Sequence, residues 1–406
     1  MLSIDRFAKP LGGAQVTEDE MLTVVDLFAG AGGLSSSLEA EGWKTLAAVD
    51  NDPDAIMTLR ANQARGWLKG ARVIQADVRD LTGRDLVEGG TRLDLLTGGP
   101  PCQPFSSAGL MRAVKDPRGT LFRDFVRIAK DLSPRFILFE NVAGLVTAKT
   151  PDGKAGGVLS LIQMNFENIG YACRFELLNA ADFGAAQRRV RLYMIAAKQE
   201  TIPEFPSQTH DRLGAEGRRP WRTLKELLDE LPAPDPSDVV YPSESRLADL
   251  LALKPGTGLR STGIVEANRP SGHWGYRQDC FVADLELPSR TIRAASTPDW
   301  VRCSDGKLRR LTWKECAALQ GFSQGWEFFG TKAALFRQIG NAVQGEVGRA
   351  LARRLAVSAN SLCRANPRSA PWPAAFHRRV RYTDMEEQTN GAHRRAARRE
   401  NDAFSA

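Results

Sequence analysis

The first 200 residues alternate short apolar runs with helix-like segments, and this alternation restricts the chain to a narrow class of folds. The runs have the length of buried strands and lie at 23–28, 45–49, 72–76, 93–96, 136–139, 173–178 and 191–197. Helix-like segments fall between them, including 34–41, 121–131 and 158–169. Because strands that alternate with helices pair in parallel with helices on both faces, the pattern predicts a doubly wound α/β sheet.

The pattern changes after about residue 200. The sequence becomes rich in proline and poor in strand-like runs, with one good helix at 223–231, and a helix-like segment returns at 335–355. We therefore predict a domain at 21–200, a second, smaller, irregular domain at 201–330, and a helix at 331–360 that returns to the first domain. Residues 1–20 form a leader, with Met21 a candidate start, and the basic tail at 361–406 is predicted to be disordered.

Composition excludes several classes of protein. The 406 residues include no apolar run of the roughly 18 residues that a membrane span needs and no signal-peptide pattern. Six cysteines lie far apart and four histidines do not cluster, so neither a disulfide framework nor a metal site is predicted, and a reducing cytoplasm fits. The net charge of +7 permits a nucleic-acid partner without establishing one, since much of it lies in the tail.

A cysteine between prolines lies just after the fourth apolar run. Cys102 stands in the segment Gly-Gly-Pro-Pro-Cys-Gln-Pro-Phe-Ser-Ser, at 98–107. The carboxyl end of a strand is where open α/β sheets bind ligands, and the prolines restrict the backbone around the sulfur. A buried structural cysteine is the alternative, but such cysteines usually sit in apolar runs. The polar surroundings favour a positioned nucleophile.

Other polar residues follow further strand-like runs. A glycine-rich turn at 29–33 separates the first strand from the first helix, and Asp50 and Asp77 end or follow the next two strands. The turn lacks both the G-x-G-x-x-G spacing and a P-loop lysine, so it indicates ligand binding only in combination with these carboxylates. Glu140 leaves a buried strand as a candidate general acid. Ordinary turn residues, or a solvated glutamate, are the alternatives.

Taken in order, these segments resemble the DNA (cytosine-5) methyltransferases from about residue 22 to 345. The Pro-Cys-Gln-x-Phe-Ser loop and the late Gln-x-Gly-Asn-x-Val segment are the most specific matches. The matching segments are 26–35, 50, 77, 98–106, 118–122, 140–142, 187–195, 290–292, 311–322 and 338–343. The resemblance implies an S-adenosylmethionine-dependent methyltransferase with a Rossmann-like sheet and a target-recognition domain.

The resemblance also implies roles for individual residues. Cys102 would add to C6 of a flipped cytosine, Glu140 would engage the N3 and N4 edge of the base, and Arg191 with Arg189 would hold the O2 side. The cofactor would be S-adenosyl-L-methionine, with Phe28 on the adenine, Asp50 at the ribose and Asp77 at the adenine amine. The implied cofactor residues are Asp26, Phe28, Gly30, Gly32, Gly33, Asp50, Asp77, Leu121 and Asn341.

Double-stranded DNA is the partner that the resemblance implies, methylated at C5 of cytosine within a specific sequence. Residues expected to contact it are Gln103, Ser106, Arg269, His273, Tyr276, Arg277 and Gln278, and the segment 106–119 is expected to close over the duplex. We expect a bacterial restriction-modification or solitary modification enzyme. It would act as a monomer in the cytoplasm, on the nucleoid and away from membranes, with any cognate endonuclease acting separately.

Two alternatives remain at this point. A tRNA cytosine-5 methyltransferase would share the catalytic segments, although the long variable region at 201–289 favours sequence reading on DNA. A catalytically silent DNA-binding relative is the second alternative, and the presence of Cys102, Glu140 and Arg191 argues against it.

Overall fold

The computed structural model describes residues 21–101, 121–150, 152–260, 276–295, 297–361 and 365–383, with side chains omitted at 260 and 276–278. Its strands are β1 (Thr23–Leu27), β2 (Lys44–Asp50), β3 (Arg72–Gln75), β4 (Leu95–Gly98), β5 (Phe136–Val142), β6 (Ala172–Asn179), β7 (Val190–Ala197), β8 (His210–Asp211), β9 (Arg219–Pro220), β10 (Thr257–Arg260), β11 (Tyr276–Val282), β12 (Trp300–Arg302) and β13 (Leu308–Arg310).

The helices pack on both faces of the main sheet and around its edges. They are α1 (Gly33–Glu39), α2 (Pro53–Ala64), α3 (Leu121–Leu132), α4 (Gly157–Glu167), α5 (Leu224–Glu230), α6 (Glu244–Leu251), α7 (Trp313–Leu319), α8 (Lys332–Asn341), α9 (Gly345–Asn360) and α10 (374–383). Among the helices of the described ranges, none is long and apolar enough to cross a membrane.

The main sheet has the order β3-β2-β1-β4-β5-β7-β6, and its strands are parallel except for β7. Successive residues of a strand face opposite sides: Leu96 and Phe139 pack on the α3 and α4 side, whereas Leu95 and Leu138 pack on the α1 and α9 side. This arrangement confirms the predicted doubly wound α/β fold.

The proline-rich region contains more regular structure than its sequence indicates. A second sheet of order β10-β11-β12-β13 packs Val282, Trp300 and Leu308 against Leu250 of α6. Its strands are mostly three or four residues long, which is too short for a period-two pattern to stand out. The expectation of a strand-poor region is therefore corrected.

The single helix predicted at 335–355 is two helices. Ala342 leaves the helical region with φ −62° and ψ 149°, and the Gln344 side chain caps α9 by accepting hydrogen bonds from the backbone amides of Glu346 and Val347. A Cβ at Gly345 would stand 2.7 Å from the carbonyl oxygen of Gly321, so the chain turns where two backbones meet. Apolar residues on both sides of the turn conceal it in the sequence.

Part of the tail is also ordered, contrary to the prediction for 361–406. Phe376 of α10 is fully buried in the core cluster that includes α3 and α4, and Trp372 packs against the same cluster. These two aromatic side chains anchor 365–383 because they pack against the apolar residues of that cluster. The prediction of disorder rested on the many arginines of the tail. It overlooked the four-residue spacing of Trp372, Phe376 and Val380, a spacing that places apolar side chains on one face of a helix.

Candidate active site

Four strands of the main sheet end side by side at one edge. Leu27 of β1 pairs with Val49 of β2 and with Gly98 of β4, which in turn pairs with Phe139 of β5. The residues that follow these positions are the glycine-rich turn, Asp50, the stretch toward Cys102, and Glu140. Segments that are over 100 residues apart in sequence therefore meet at what we call the catalytic edge.

The stretch that leads to Cys102 is held firmly by its neighbours. A Cβ at Gly98 would lie 2.3 Å from the carbonyl oxygen of Leu27, so only glycine permits this approach of β4 to β1. The Asn141 side chain donates a hydrogen bond of 3.0 Å to the carbonyl oxygen of Pro100. Cys102 itself, with Gln103 and Ser106, lies outside the described residues.

Glu140 forms an ion pair with Arg191 beside this stretch. The distance from Arg191 Nε to Glu140 Oε1 is 3.4 Å, and both side chains are largely buried. The Glu140 Oε2 atom is 3.0 Å from where a Cβ of residue 99 would stand, so Gly99 leaves the carboxyl group room. Burial raises the pKa of Glu140 above its usual range, although Arg191 and Arg189 oppose the shift.

A second carboxyl group supports the glycine-rich turn. Asp50 accepts hydrogen bonds from the backbone amides of Gly30, at 2.7 Å, and Asp52, at 2.9 Å. Burial raises the pKa of Asp50, while these amide bonds lower it. Phe28 has the left-handed φ of 59°, and a Cβ at Gly30 would meet nothing within 4 Å. The turn thus has open space over Gly30, next to a fixed carboxylate.

The other two glycines of the turn face protein. A Cβ at Gly32 would lie 2.8 Å from Leu59 Cδ2, and one at Gly33 would lie 2.9 Å from Ala342 Cβ. These glycines therefore permit close packing of the turn against α2 and the segment between α8 and α9. The structure assigns only Gly30 to the open side.

Comparison with known proteins identifies the family of this chain. The model of the C-5 cytosine-specific DNA methylase family matches residues 22–356, which is most of the chain. The chain belongs to this family. It is therefore a DNA (cytosine-5)-methyltransferase, of a family that uses S-adenosylmethionine, and DNA is its substrate.

Individual relatives agree with the family match. The Type II methyltransferase M.PspPI of Psychrobacter sp. is 32% identical over 351 residues, covering 82% of this chain and 79% of the relative. M.NgoMIV of Neisseria gonorrhoeae is 31% identical over 340 residues, covering 82% and 96%. A putative DNA modification methyltransferase from an E. coli prophage, at 24% identity, shares the fold with a TM-score of 0.58 over 84% of this chain and all of its own.

Within this methyltransferase, the two predicted base-holding arginines occupy different environments. Arg189 is buried, and its guanidinium donates hydrogen bonds of 3.0 Å to the carbonyl oxygens of Ile292, Gly340 and Ala342. Arg189, which precedes β7, is thereby held in the interior, with Arg191 and Glu140 close enough to affect its charge. Burial, with Arg191 nearby, lowers the pKa of Arg189 to about 9.

The network around Arg189 includes side chains that sequence reasoning did not single out. Gln187 is fully buried; its amide donates to the Leu319 carbonyl at 3.0 Å and to the Gln320 side chain at 2.9 Å, and it accepts from the Ile292 amide at 3.0 Å. A Cβ at Gly340 would lie 2.2 Å from the Ala294 amide nitrogen. The matching segments 187–195, 290–292 and 338–343 thus contain framework residues as well as functional ones.

The remaining predicted cofactor residues lie around the same edge with partners of their own. Asp26 is buried and accepts a short hydrogen bond from the Ser35 hydroxyl, and burial raises its pKa to about 7. Asp77 follows β3, pairs with Arg79 at 2.6 Å, and has its pKa lowered by that hydrogen bond. Leu121 begins α3, and Asn341 is an exposed residue that ends α8.

The predicted DNA-contacting residues fall mostly beyond the described parts of the chain. Arg269 and His273 lie outside the described residues, and for Tyr276, Arg277 and Gln278 the structure describes only the backbone of β11.

A cleft between the sheet and the second domain contributes candidates that the sequence did not isolate. It has a volume of about 220 Å³ and is lined by Arg188, Phe281, Asp284 and Arg290 among others. Arg290 stacks on Phe281 at 3.5 Å and pairs with Asp299, whereas Arg188 is exposed and has no ion pair within the described residues. Although the residue as a whole is exposed, partial desolvation of its guanidinium, with Arg212 and Arg290 nearby, lowers the pKa of Arg188.

Proposed function

We propose that this methyltransferase modifies C5 of a cytosine that it flips out of a specific duplex DNA sequence, through a covalent bond from Cys102 to C6. The observation that carries the proposal is the Glu140–Arg191 pair beside Gly98–Pro101, the stretch that precedes Cys102. Flipping is required because C5 and C6 are inaccessible within the base stack.

The addition step uses the groups of the catalytic edge together. The Cys102 thiolate forms a bond to C6, and the electron pair of the C5–C6 double bond moves to C5 as Glu140 gives a proton to N3. Arg191 holds O2 and stabilises the negative charge that develops in the ring. After methyl transfer, a base removes the C5 proton, its electron pair restores the double bond, and the thiolate leaves C6.

The electrostatics of Glu140 support its role. A raised pKa favours the protonated carboxyl group, which is the form that donates to N3. Arg191 opposes this shift from 3.4 Å, so it limits how far the carboxyl group departs from an ordinary acid. A group poised in this way gives and recovers a proton at each turnover.

The cofactor side of the edge fits an adenosyl group. S-Adenosyl-L-methionine supplies the methyl group. Asp50 accepts backbone hydrogen bonds from Gly30 and Asp52 on different carboxylate oxygens, and a carboxylate has acceptor capacity left for a ribose hydroxyl. Phe28, held at positive φ, is available to pack on the adenine, and Asp77 follows the neighbouring strand as the candidate partner of the amine. Leu121 and Asn341 complete the proposed pocket.

In this proposal DNA lies between the catalytic edge and the second domain, next to the cleft that Arg188 lines. The Arg188 guanidinium, which has no ion pair among the described residues, is the candidate to hold a backbone phosphate. Arg269, His273 and the side chains of β11 remain the predicted base readers. We infer a Type II modification enzyme, as its relatives' names indicate for them, which acts as a monomer in the cytoplasm, apart from any cognate endonuclease.

The replacement Cys102→Ala tests the covalent step directly. We expect it to abolish methyl transfer to duplex DNA, and to abolish trapping on a duplex that carries 5-fluorocytosine, where the C5 substituent cannot leave as a proton. Cys303→Ala, at a partly exposed cysteine of the second domain, is the matched control and should retain both. Methylation by Cys102→Ala would contradict the mechanism.

The base, position and sequence context are measured by bisulfite sequencing of a host genome that expresses the protein. Methylated cytosines should fall within one short recognition sequence. Methylation of tRNA without methylation of duplex DNA would contradict the proposed substrate.

A further inference from the structure

Residues 365–383, which we call the strap, run along α4. They start at the end of the sheet opposite the catalytic edge and continue toward the catalytic edge. The Ala365 amide donates to the carbonyl oxygen of Gln199, just after the end of β7. Near the start of β6, the Cys173 amide donates to the Ser369 hydroxyl and the Ala370 amide donates to the Cys173 carbonyl, both at 2.9 Å. The strap therefore begins at the edge opposite the catalytic edge and pairs with the outermost strand.

Apolar side chains four residues apart then fix the strap against α4. Trp372 donates from its indole to Gln163 at 2.7 Å, and Phe376 is fully buried. A Cβ at Gly156, the N-cap of α4, would stand 3.0 Å from Val380. Because α4 follows β5, its first turn lies toward the catalytic edge, and so does the last turn of α10.

The outward surface of α10 is basic. Arg378, Arg379 and Arg381 are exposed, and none has an ion pair with the residues that the structure describes. The sequence from 365 to 383 contains no aspartate or glutamate. Burial of Phe376 fixes which side of the helix faces inward, so the arginines are presented in a constant orientation.

We propose that α10 binds the phosphate backbone of duplex DNA beside the catalytic edge, through Arg378, Arg379 and Arg381. The inference rests on the proposed function for its substrate, and the surface lies beyond the family-matched residues 22–356. Its contribution is independent of sequence, because phosphates are common to every site. It would strengthen the hold on DNA of a second domain that carries little net charge.

The test compares two triple variants of the full chain that lose equal charge. The first is R378Q/R379Q/R381Q, and the control is R60Q/R84Q/R92Q, at exposed arginines before or within other elements. Binding of a labelled duplex is titrated by fluorescence anisotropy at a series of salt concentrations. Each phosphate contact contributes about 0.9 to the slope of log K against log salt, so the first variant should lower the slope by about 2 to 3.

The control variant should keep the slope of the wild-type protein, and both variants should keep its melting temperature and its kcat at saturating DNA. An unchanged slope in the α10 variant, or an equal loss in the control, would overturn the inference. Because the readout is binding, it is separate from the proposed function: a protein that binds duplex DNA through α10 but does not methylate it would contradict only the latter.

Discussion

Arg189 and Arg191 lie two residues apart, yet the structure predicts that replacing each with lysine has opposite consequences. Arg189→Lys keeps the charge but loses the planar guanidinium that reaches three carbonyl oxygens. A lysine ammonium at this position can retain one of these bonds. Two lost charge-assisted bonds at about 1.5–3 kcal/mol each predict that the free energy of unfolding falls by roughly 3–6 kcal/mol.

Arg191→Lys changes a side chain whose ion pair with Glu140 is local to the catalytic edge. We expect a smaller loss in the free energy of unfolding than for Arg189→Lys, because the lysine ammonium still places a positive charge beside the buried Glu140 carboxyl group. In the proposed mechanism the guanidinium donates to O2 of the base, and loss of one such donor is expected to lower kcat by about 100- to 1000-fold.

Chemical denaturation and methyl-transfer kinetics on the same two proteins separate these effects. Arg189→Lys should unfold at lower denaturant concentration, and its remaining folded fraction should have a kcat closer to the wild-type value than Arg191→Lys has. If Arg189→Lys were as stable as the wild-type protein but inactive, Arg189 would act on the base itself, and its assignment to the framework would be refuted.

Three further predictions follow from burial and packing. Burial raises the pKa of Asp26 from 3.8 to about 7 in the folded protein, so its contribution to stability is complete below pH 3.8 and is lost as pH rises through 7. In urea unfolding, the free energy of unfolding of the wild-type protein should fall by about 2.5 kcal/mol between pH 5 and pH 8, and that of Asp26→Asn should not. Gly340→Ala should prevent stable folding, measured by melting temperature, because its Cβ would overlap the backbone at 294, whereas Gly325→Ala, which meets nothing within 4 Å, should not. Phe376→Ala should cost about 3–5 kcal/mol in denaturant unfolding, whereas Tyr382→Ala, which is half exposed, should cost under 1 kcal/mol; equal losses would contradict the anchoring of α10.

The elements of the main sheet were predictable because each strand is an apolar run with polar or turn-forming residues on both sides. Thr23–Leu27 and Phe136–Val142 lie within three residues of their predicted ends. The turn between α8 and α9 was not predictable, because it depends on Gly345 meeting Gly321, a contact between residues 24 positions apart. No local pattern records such a contact.

The segments that form the candidate site were predictable from the sequence, but the separate contacts of the individual residues within them were not. Position at a strand end indicated Asp50 and Glu140, and the structure places both at the catalytic edge. The sequence spacing of Arg189 and Arg191 could not reveal that Arg191 forms the ion pair with Glu140, whereas Arg189 donates to backbone carbonyl oxygens. That difference depends on the segments at 292 and 340–342, which are over 100 residues away in sequence.

The buried network connects these two kinds of residue. Gln187 and Arg189 join the start of β7 to the backbone at Ile292 and, through Gly340 and Ala342, to the turn before α9. Buried polar groups that are mostly satisfied tolerate few alternative arrangements, because each lost partner leaves a desolvated group. The same bonds therefore set the position of Arg191 at the catalytic edge and the position of the segment at 289–292 that leads from the second domain. Loss of Gln187 or Arg189 should therefore disturb the strand that carries Arg191 and the segment at 289–292 together.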